Sequence, residues 1–289
     1  MNQEKKDNKV KYFIIFIGVC VLATCGLAIY YMFFMNRTEE KELPKTSPKP
    51  TVTEEKEEKD VGTPIDINNE VVTSFMKTFQ ILDEHTVSKY YFHKGLSYNR
   101  NSVPNDVKIS LAILSLSKEG KYPLEGLRRT FKISGSEIKQ KVQKIFGEDV
   151  SFQHQTVGNN SGCDFDSLTY DMNSDSYTLK ESGGCGGTLI PYIISRVTSA
   201  TEYKNHLEIV EKAGFVEPLS LPNGDIAFNL YNNASKEKTI VSKESSNEVD
   251  AKAIDNSIYN KYQNQFDTYV YTFKKDKAGN YYFDSINRK

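Results

Sequence analysis

The sequence predicts an α+β domain carried on a single transmembrane helix. Three observations lead there: an uncharged run from Tyr12 to Met35, apolar stripes at helical spacing after Pro64, and a change to period-two alternation after Leu168.

The run reads YFIIFIGVCVLATCGLAIYYMFFM. At about 1.5 Å per helical residue it covers a hydrocarbon core of roughly 30 Å with some tilt. As a helix it satisfies its own backbone hydrogen bonds, which lipid cannot do. Tyr12 and Phe13 at one end, and Tyr30, Tyr31, Phe33 and Phe34 at the other, form the aromatic belts of a span. Lys5, Lys6, Lys9 and Lys11 precede it, against Arg37 and Lys41 beyond it, so residues 1–11 are expected in the cytoplasm and the C-terminal part outside. A cleaved signal peptide would be shorter and end in small residues. Leu22-Ala23-Thr24-Cys25 resembles a lipobox, but Thr24 departs from it and the apolar run continues past Cys25. Cys20 and Cys25 read as small apolar residues of the span. Gly18, Ala23 and Gly26 lie at loosely helical spacing, a pattern that serves helix pairing. The expected first partner is therefore the lipid bilayer.

Residues 36–63 are expected to be a disordered stalk. Pro44, Pro48 and Pro50 are mixed with Lys, Glu and Thr, and only Leu43, Val52 and Val61 are apolar after the first few residues. Such a stretch buries too little to offset its ordering entropy.

The outer domain, 64–289, opens with helices. Val71, Val72, Phe75, Phe79 and Leu82 share a helical face, with Asn69 as the cap. An aromatic stretch, Tyr90, Tyr91, Phe92 and Tyr98, reads as loop or short strand. Asn105 and Asp106 start a second helix through Val107, Leu111 and Leu114. Ser134 and Glu137 form a capping box for a third, with Ile138, Val142 and Ile145 as its stripe and Gly147 as its stop. A fourth helix is expected from Asn247 to Phe266, after a possible sub-boundary near 232–248.

Strands fill the interval. Leu168, Tyr170 and Met172 alternate, turn at Asn173-Ser174, and return through Tyr177 and Leu179. Leu189–Thr201 is apolar on both faces and reads as a central, doubly covered strand with Pro191 near its start. Further strands begin at Leu207 and run through Ile226–Leu230, which pairs back through Ile240. Tyr269, Tyr271 and Phe273, a turn at Lys277–Asn280, and Tyr282 to Ile286 make a terminal hairpin with one polar face.

Several of these residues resemble a family. The run Asn105-Asp106-x-Lys108-x-x-x-Ala112-x-x-x-Leu116, the ending Ile145-Phe146-Gly147, Tyr170 and Tyr177, and Gly184-Cys185-Gly186-Gly187 resemble single-pass membrane-anchored surface proteins of Gram-positive-type bacteria, over residues 68–231. The resemblance implies a surface location and no particular activity. The ending VYTFKKDKAGNYYFDSINR is similar to the last hairpin of cystatin-like or NTF2-like domains.

Net charge is −1, from 37 Lys and Arg against 38 Asp and Glu, which disfavours a nucleic-acid partner. Tyrosine (18) and phenylalanine (16) supply core volume in the absence of tryptophan. Cys163 and Cys185, the two cysteines outside the span, are candidates for a disulfide. Closing a loop of about twenty residues is worth roughly 3 kcal/mol in the chain-entropy model; two free thiols are the alternative. Asp171-x-Asn173-x-Asp175 matches the first alternating ligands of a calcium loop, but Ser176 replaces the glycine and Ser182 the closing glutamate. A polar turn accounts for it equally. Gly183–Gly187 lacks the Lys-Ser/Thr of a phosphate loop. Asp164 and Asp166 fall on one side of a strand. His85, His93, His154 and His206 are scattered, without metal-site spacing. No catalytic residue and no cofactor is therefore expected. The expectation is a binding, adaptor or sensing module for a protein or cell-envelope ligand. The alternatives are an extracytoplasmic hydrolase or transferase using carboxylates, or a structural subunit of a membrane complex.

Overall fold

A computed structural model of the chain describes residues 61–83, 90–121, 130–158, 165–181, 189–222, 226–245 and 251–289. They fall within one compact unit, Glu58–Lys289. The expected span at 12–35, the stalk up to residue 60, Cys163, Cys185, the glycine cluster, His85 and Asp164 lie outside the described residues. Among the described residues, no helix is long and apolar enough to cross a membrane.

The fold is α+β, with four α-helices and two antiparallel sheets among the described residues. Helix α1 (Glu70–Gln80) starts as expected, with Asn69 Oδ1 accepting from the Val71 amide at 2.9 Å. Helix α2 (Asn105–Lys118) is buried from Val107 to Leu116 on all sides, so it has no polar stripe and runs through the core. It starts at Asn105, as expected, after Pro104 as the cap residue, and Asn105 Oδ1 accepts from the Gln153 amide. Helix α3 (Gly135–Phe146) begins where Ser134 Oγ accepts from the Glu137 amide at 3.2 Å. It ends at Gly147, whose φ of 91° a side chain would strain. Helix α4 spans Ala251–Tyr262, and a 3₁₀ turn continues to Gln265.

The large sheet holds β1 (Thr63–Ile65), β2 (Tyr98–Asn99), β7 (Tyr192–Glu202), β8 (His206–Ser220), β9 (Ile226–Tyr231), β10 (Thr239–Ser245), β11 (Asp267–Lys275) and β12 (Tyr281–Arg288). Its order is β1-β7-β8-β11-β12-β2, with β9 also on β8 and β10 on β9. Strand β8 is long enough to serve two neighbours on one flank. Its first half pairs with β11 from His206 to Ala213, and its second half with β9 from Phe215 to Ser220. A smaller sheet, β3 (Thr130–Ser134), β6 (Ser176–Glu181), β5 (Phe165–Asp171) and β4 (Val157–Gly158), packs its buried residues into the same core as α2 and α3.

Three strands have no signal in the sequence: β1, whose Thr63 pairs with Glu202 although the stalk is expected to reach residue 63, and the short β3 and β4. Strand β7 corrects one expectation in half. It is covered on both faces, by Ile193 and Val197 in one core and Ile194 in another, but it is second from an edge rather than central. The terminal hairpin forms as expected. Strand β11 sits inside the sheet between β8 and β12, and Val270 is buried on the face opposite Tyr269, Tyr271 and Phe273, but Thr268, Thr272 and Lys274 keep that face largely polar, with Lys274 paired to Asp284 of β12.

Each face of the large sheet carries its own helix. On one, Phe79 of α1 meets Phe92, Phe146, Tyr271, Phe273 and Phe283 with ring centroids 4.8–6.5 Å apart. On the other, Ile258 and Tyr259 of α4 pack with Ile194, Val216, Phe228 and Leu230. Arg196 lies over the Tyr259 ring at 4.3 Å and donates to Asn256, tying β7 to α4. A Cβ on Gly214 would come within 2.6 Å of the Phe266 ring, so glycine permits that approach.

Because Phe79 joins α1, α3 and both strands of the terminal hairpin, Phe79→Ala should destabilise the domain by about 3–5 kcal/mol. The check is the urea midpoint at unchanged m-value.

Candidate binding cleft

Helix α1, helix α3 and the turn of the terminal hairpin do not close on one another. Between them runs a cleft of about 1010 Å³. Its floor is aromatic and aliphatic: Phe75, Phe79, Ile145, Phe273 and Tyr281. Phe75 stacks on Phe273 at 4.3 Å and meets Tyr281 edge-on at 6.0 Å, which sets one ring as a half-buried plate at the cleft base. Val71 stands at the margin, 40% exposed. The rim is polar, with Gln140, Lys141 and Lys144 on α3, Glu70 on α1, and Asn280 on the hairpin turn.

The walls are held from behind. Arg100 donates to both Asp149 oxygens at 2.6 and 2.7 Å and to the Phe146 carbonyl at 3.2 Å, with its guanidinium 4.9 Å from the Tyr282 ring. It thus clamps the C-terminus of α3 to β12. Asp276 shapes the hairpin turn by accepting from the amides of Ala278 and Asn280, both at 2.8 Å, and these bonds hold its carboxyl below the usual range.

At one end the cleft continues into a narrower cavity of about 480 Å³ between the ends of α1 and α2 and the flank of α3. Lys77, Gln80, Ser115, Lys118 and Lys141 line it. The Glu119–Lys141 ion pair borders both spaces, and the hydrogen bond from Lys141 lowers the pKa of the Glu119 carboxyl.

Beneath α1 lies a buried polar network. Glu211 on β8 is fully buried and points from the sheet toward the helix. Its Oε1 accepts from Gln80 Nε2 at 2.9 Å, and its Oε2 accepts from Tyr271 OH at 3.0 Å and lies 3.0 Å from His93 Nε2. Gln80 also donates to Ser195 Oγ at 3.3 Å. His93 lies in the 3₁₀ turn Tyr91–His93, and its carbonyl accepts from Tyr269 OH at 3.1 Å. Burial acts to raise the Glu211 pKa. Attraction to His93 and hydrogen bonds from His93, Ser195 and Gln80 outweigh it and hold the carboxyl below its ordinary value. This network anchors α1, one wall of the cleft, to the sheet.

The residues singled out from sequence lie elsewhere. Asp171, Asn173 and Asp175 form the β5–β6 turn. Asp171 accepts from the Asn173 amide at 3.0 Å and from Ser174 Oγ at 2.6 Å, while Asp175, at φ 42°, accepts from Tyr170 OH at 2.8 Å. Both carboxylates are thus engaged in shaping the turn. Among the described residues no three His, Cys, Asp or Glu side chains are grouped to hold a metal ion. The register pairs Phe165 with Glu181, but Cys163 and Cys185 lie outside the described residues. His154 Nδ1 lies 3.0 Å from Tyr177 OH and its ring stacks on Tyr170; burial lowers its pKa. His206 stacks on Tyr203. The structure thus separates His93, His154 and His206 into three unrelated environments.

The cleft itself was not anticipated, since Phe75 and Ile145 read as core. Glu211 had a signal: it falls on the inward register of Leu207, Ile209 and Ala213, where a carboxylate demands partners. Comparison with protein-family models, curated proteins and solved structures finds no match for the chain.

Breaking the network should show in stability and in its pH dependence. Glu211→Gln should cost about 3–5 kcal/mol near neutral pH, because His93 loses its buried partner. Glu211 has a depressed pKa in the folded state, so its contribution is complete above the unfolded-state value of about 4.3 and is lost as pH falls through the folded value. The stability gap between wild type and Glu211→Gln should therefore be flat from about pH 6 to 7 and narrow below about pH 4.3, as measured by urea denaturation at each pH. A gap constant down to pH 2 would contradict the assignment.

Proposed function

We propose that this chain is a non-enzymatic binding module, tethered by residues 12–35 with its domain on the outer side of a membrane, that takes an elongated ligand in the cleft between α1, α3 and the terminal hairpin. The single observation that carries this reading is the half-buried Phe75 plate flanked by amide and lysine side chains. An aromatic floor with a polar rim supplies contact area and orientation, as a ligand site does. The tether is supported by the uncharged run and its lysine-rich N-terminal flank.

The alternative of a hydrolase or transferase requires carboxylates or histidines converging on one reacting position. Of the four carboxylates lining this cleft, Glu119 pairs with Lys141 and Asp276 caps its own turn, which leaves Glu70 and Glu148 with no histidine among the lining residues to work beside. The arrangement therefore favours binding over acid–base work.

The test is site-specific photo-crosslinking of the full chain in its native membrane. A crosslinker at Val71 should yield a discrete adduct that Lys144→Glu diminishes severalfold. The same crosslinker at Met172, 82% exposed on the β5–β6 turn, should not yield that adduct. Equal labelling at both positions, or none at Val71, would remove the cleft from consideration. Protease added to intact protoplasts should digest the domain; protection would reverse the topology.

A further inference from the structure

We infer that the wide part of the cleft takes an uncharged oligosaccharide, an inference that rests on the cleft being the ligand site. Its polar lining falls into two rows. On α1, Glu70, Ser74 and Thr78 follow one another at intervals of four; on α3, Gln140 and Lys144 do the same, with Glu148 just beyond the helix end. Side chains four apart share a helical face, so each helix turns one polar row to the cleft. The aromatic floor of Phe75, Phe273 and Tyr281 belongs to the same space. The rise along Glu70–Thr78 is about 12 Å, more than a single pyranose ring requires.

What the rows offer sets the ligand class. Thr78 returns its hydroxyl to the Ser74 carbonyl at 3.0 Å. The side chains of Glu70, Ser74, Gln140, Lys144 and Glu148 are exposed and make no hydrogen bond or ion pair among the described residues. Glu70 and Glu148 accept, Lys144 donates, and Ser74 and Gln140 do both. A sugar hydroxyl also donates and accepts, so a ring of them uses such a mixed set. The C–H groups on a pyranose face meanwhile pack against aromatic rings, which the floor supplies. Charge disfavours an anionic chain here: Glu70, Glu119, Glu148 and Asp276 line this part against Lys141 and Lys144. Glu70 and Glu148 serve as solvated acceptors, since neither sits in the apolar surroundings that keep a glycosidase acid protonated. An extended peptide is served less well, because the adjoining backbone is spent internally. The amides of Ala278, Gly279 and Asn280 all bond Asp276, the Phe146 carbonyl takes Arg100, and the Glu148 carbonyl takes Gln143. The rim therefore meets its ligand with side chains.

The experiment uses the full chain in phosphatidylcholine nanodiscs, titrated with cellotetraose and with chitotetraose and followed by saturation-transfer difference NMR. Saturable binding of at least one is expected. Phe75→Leu keeps an apolar side chain but removes the ring, and should weaken binding about tenfold. Gln140→Ala/Lys144→Ala together should weaken it severalfold while leaving the Tm within about 2 °C, because both side chains are exposed. Lost affinity at unchanged stability separates ligand contacts from structural ones. Tetragalacturonate, an anionic counterpart, should bind severalfold more weakly than the neutral chain that binds best. No saturable binding of either neutral chain, indifference to both variants, or tighter binding of tetragalacturonate overturns the inference. If the Val71 adduct forms but its added mass is polypeptide, the cleft reading stands and only this inference falls. If no adduct forms and no saccharide binds, both fall.

Discussion

A carboxylate fully buried on the inner face of a sheet must be satisfied from every side, and Glu211 imposes that requirement on the large sheet. Its partners come from four places in the chain: Gln80 at the end of α1, His93 in the 3₁₀ turn, Ser195 on β7 and Tyr271 on β11. Removing water from such a group costs several kcal/mol, repaid only when each lone pair finds a donor at good geometry. The network is therefore more selective than stabilising: it fixes the end of α1 over one place on the sheet. The apolar contacts around Phe79 supply the bulk of the adhesion and tolerate small slides of the helix, whereas the distances to Glu211 do not.

That fixed position explains why a cleft exists at all. Helix α1 is held over the strands by Phe79 and Gln80, so its outward residues, Val71, Ser74 and Phe75, cannot also close against α3. Helix α3 is drawn instead toward β12 by Arg100, which bonds Asp149 and the Phe146 carbonyl and lies over Tyr282. The hairpin turn, rigid through Asp276, keeps the third side open. Three elements tied separately to the core thus leave a gap whose floor is the margin of the core itself.

Much of the fold was legible because local signals agreed with their tertiary use. Asn69, Ser134 and Gly147 act as the caps and stop that their residue types announce, and the Lys277–Asn280 turn forms where glycine and asparagine place it. The losses have physical causes. Strand β3 has five residues and β4 two, too short for a periodicity, and their pairing with β6 and β5 depends on contacts distant in sequence. Strand β7 looked central because apolar residues on both faces report only coverage; strand order is set by which neighbour β8 recruits. The cleft was illegible for a related reason. Phe75 and Phe79 are four residues apart on one stripe, yet one is half-buried and the other wholly buried, because Phe92, Phe146 and Phe283 close over Phe79 from segments distant in sequence.

The two ends of the cleft differ in chemistry. Around Phe75 the lining is flat and apolar, giving contact area with little directional demand. Around Lys77 and the Glu119–Lys141 pair the lining is charged. A ligand in the first would gain from burial, and one that filled only the second would compete with water for exposed lysines at small net gain. The two ends, one apolar and one charged, stand at a fixed separation. The buried polar network beneath α1 keeps that separation constant, because Gln80 and Lys77 belong to the same helical turn and move only together.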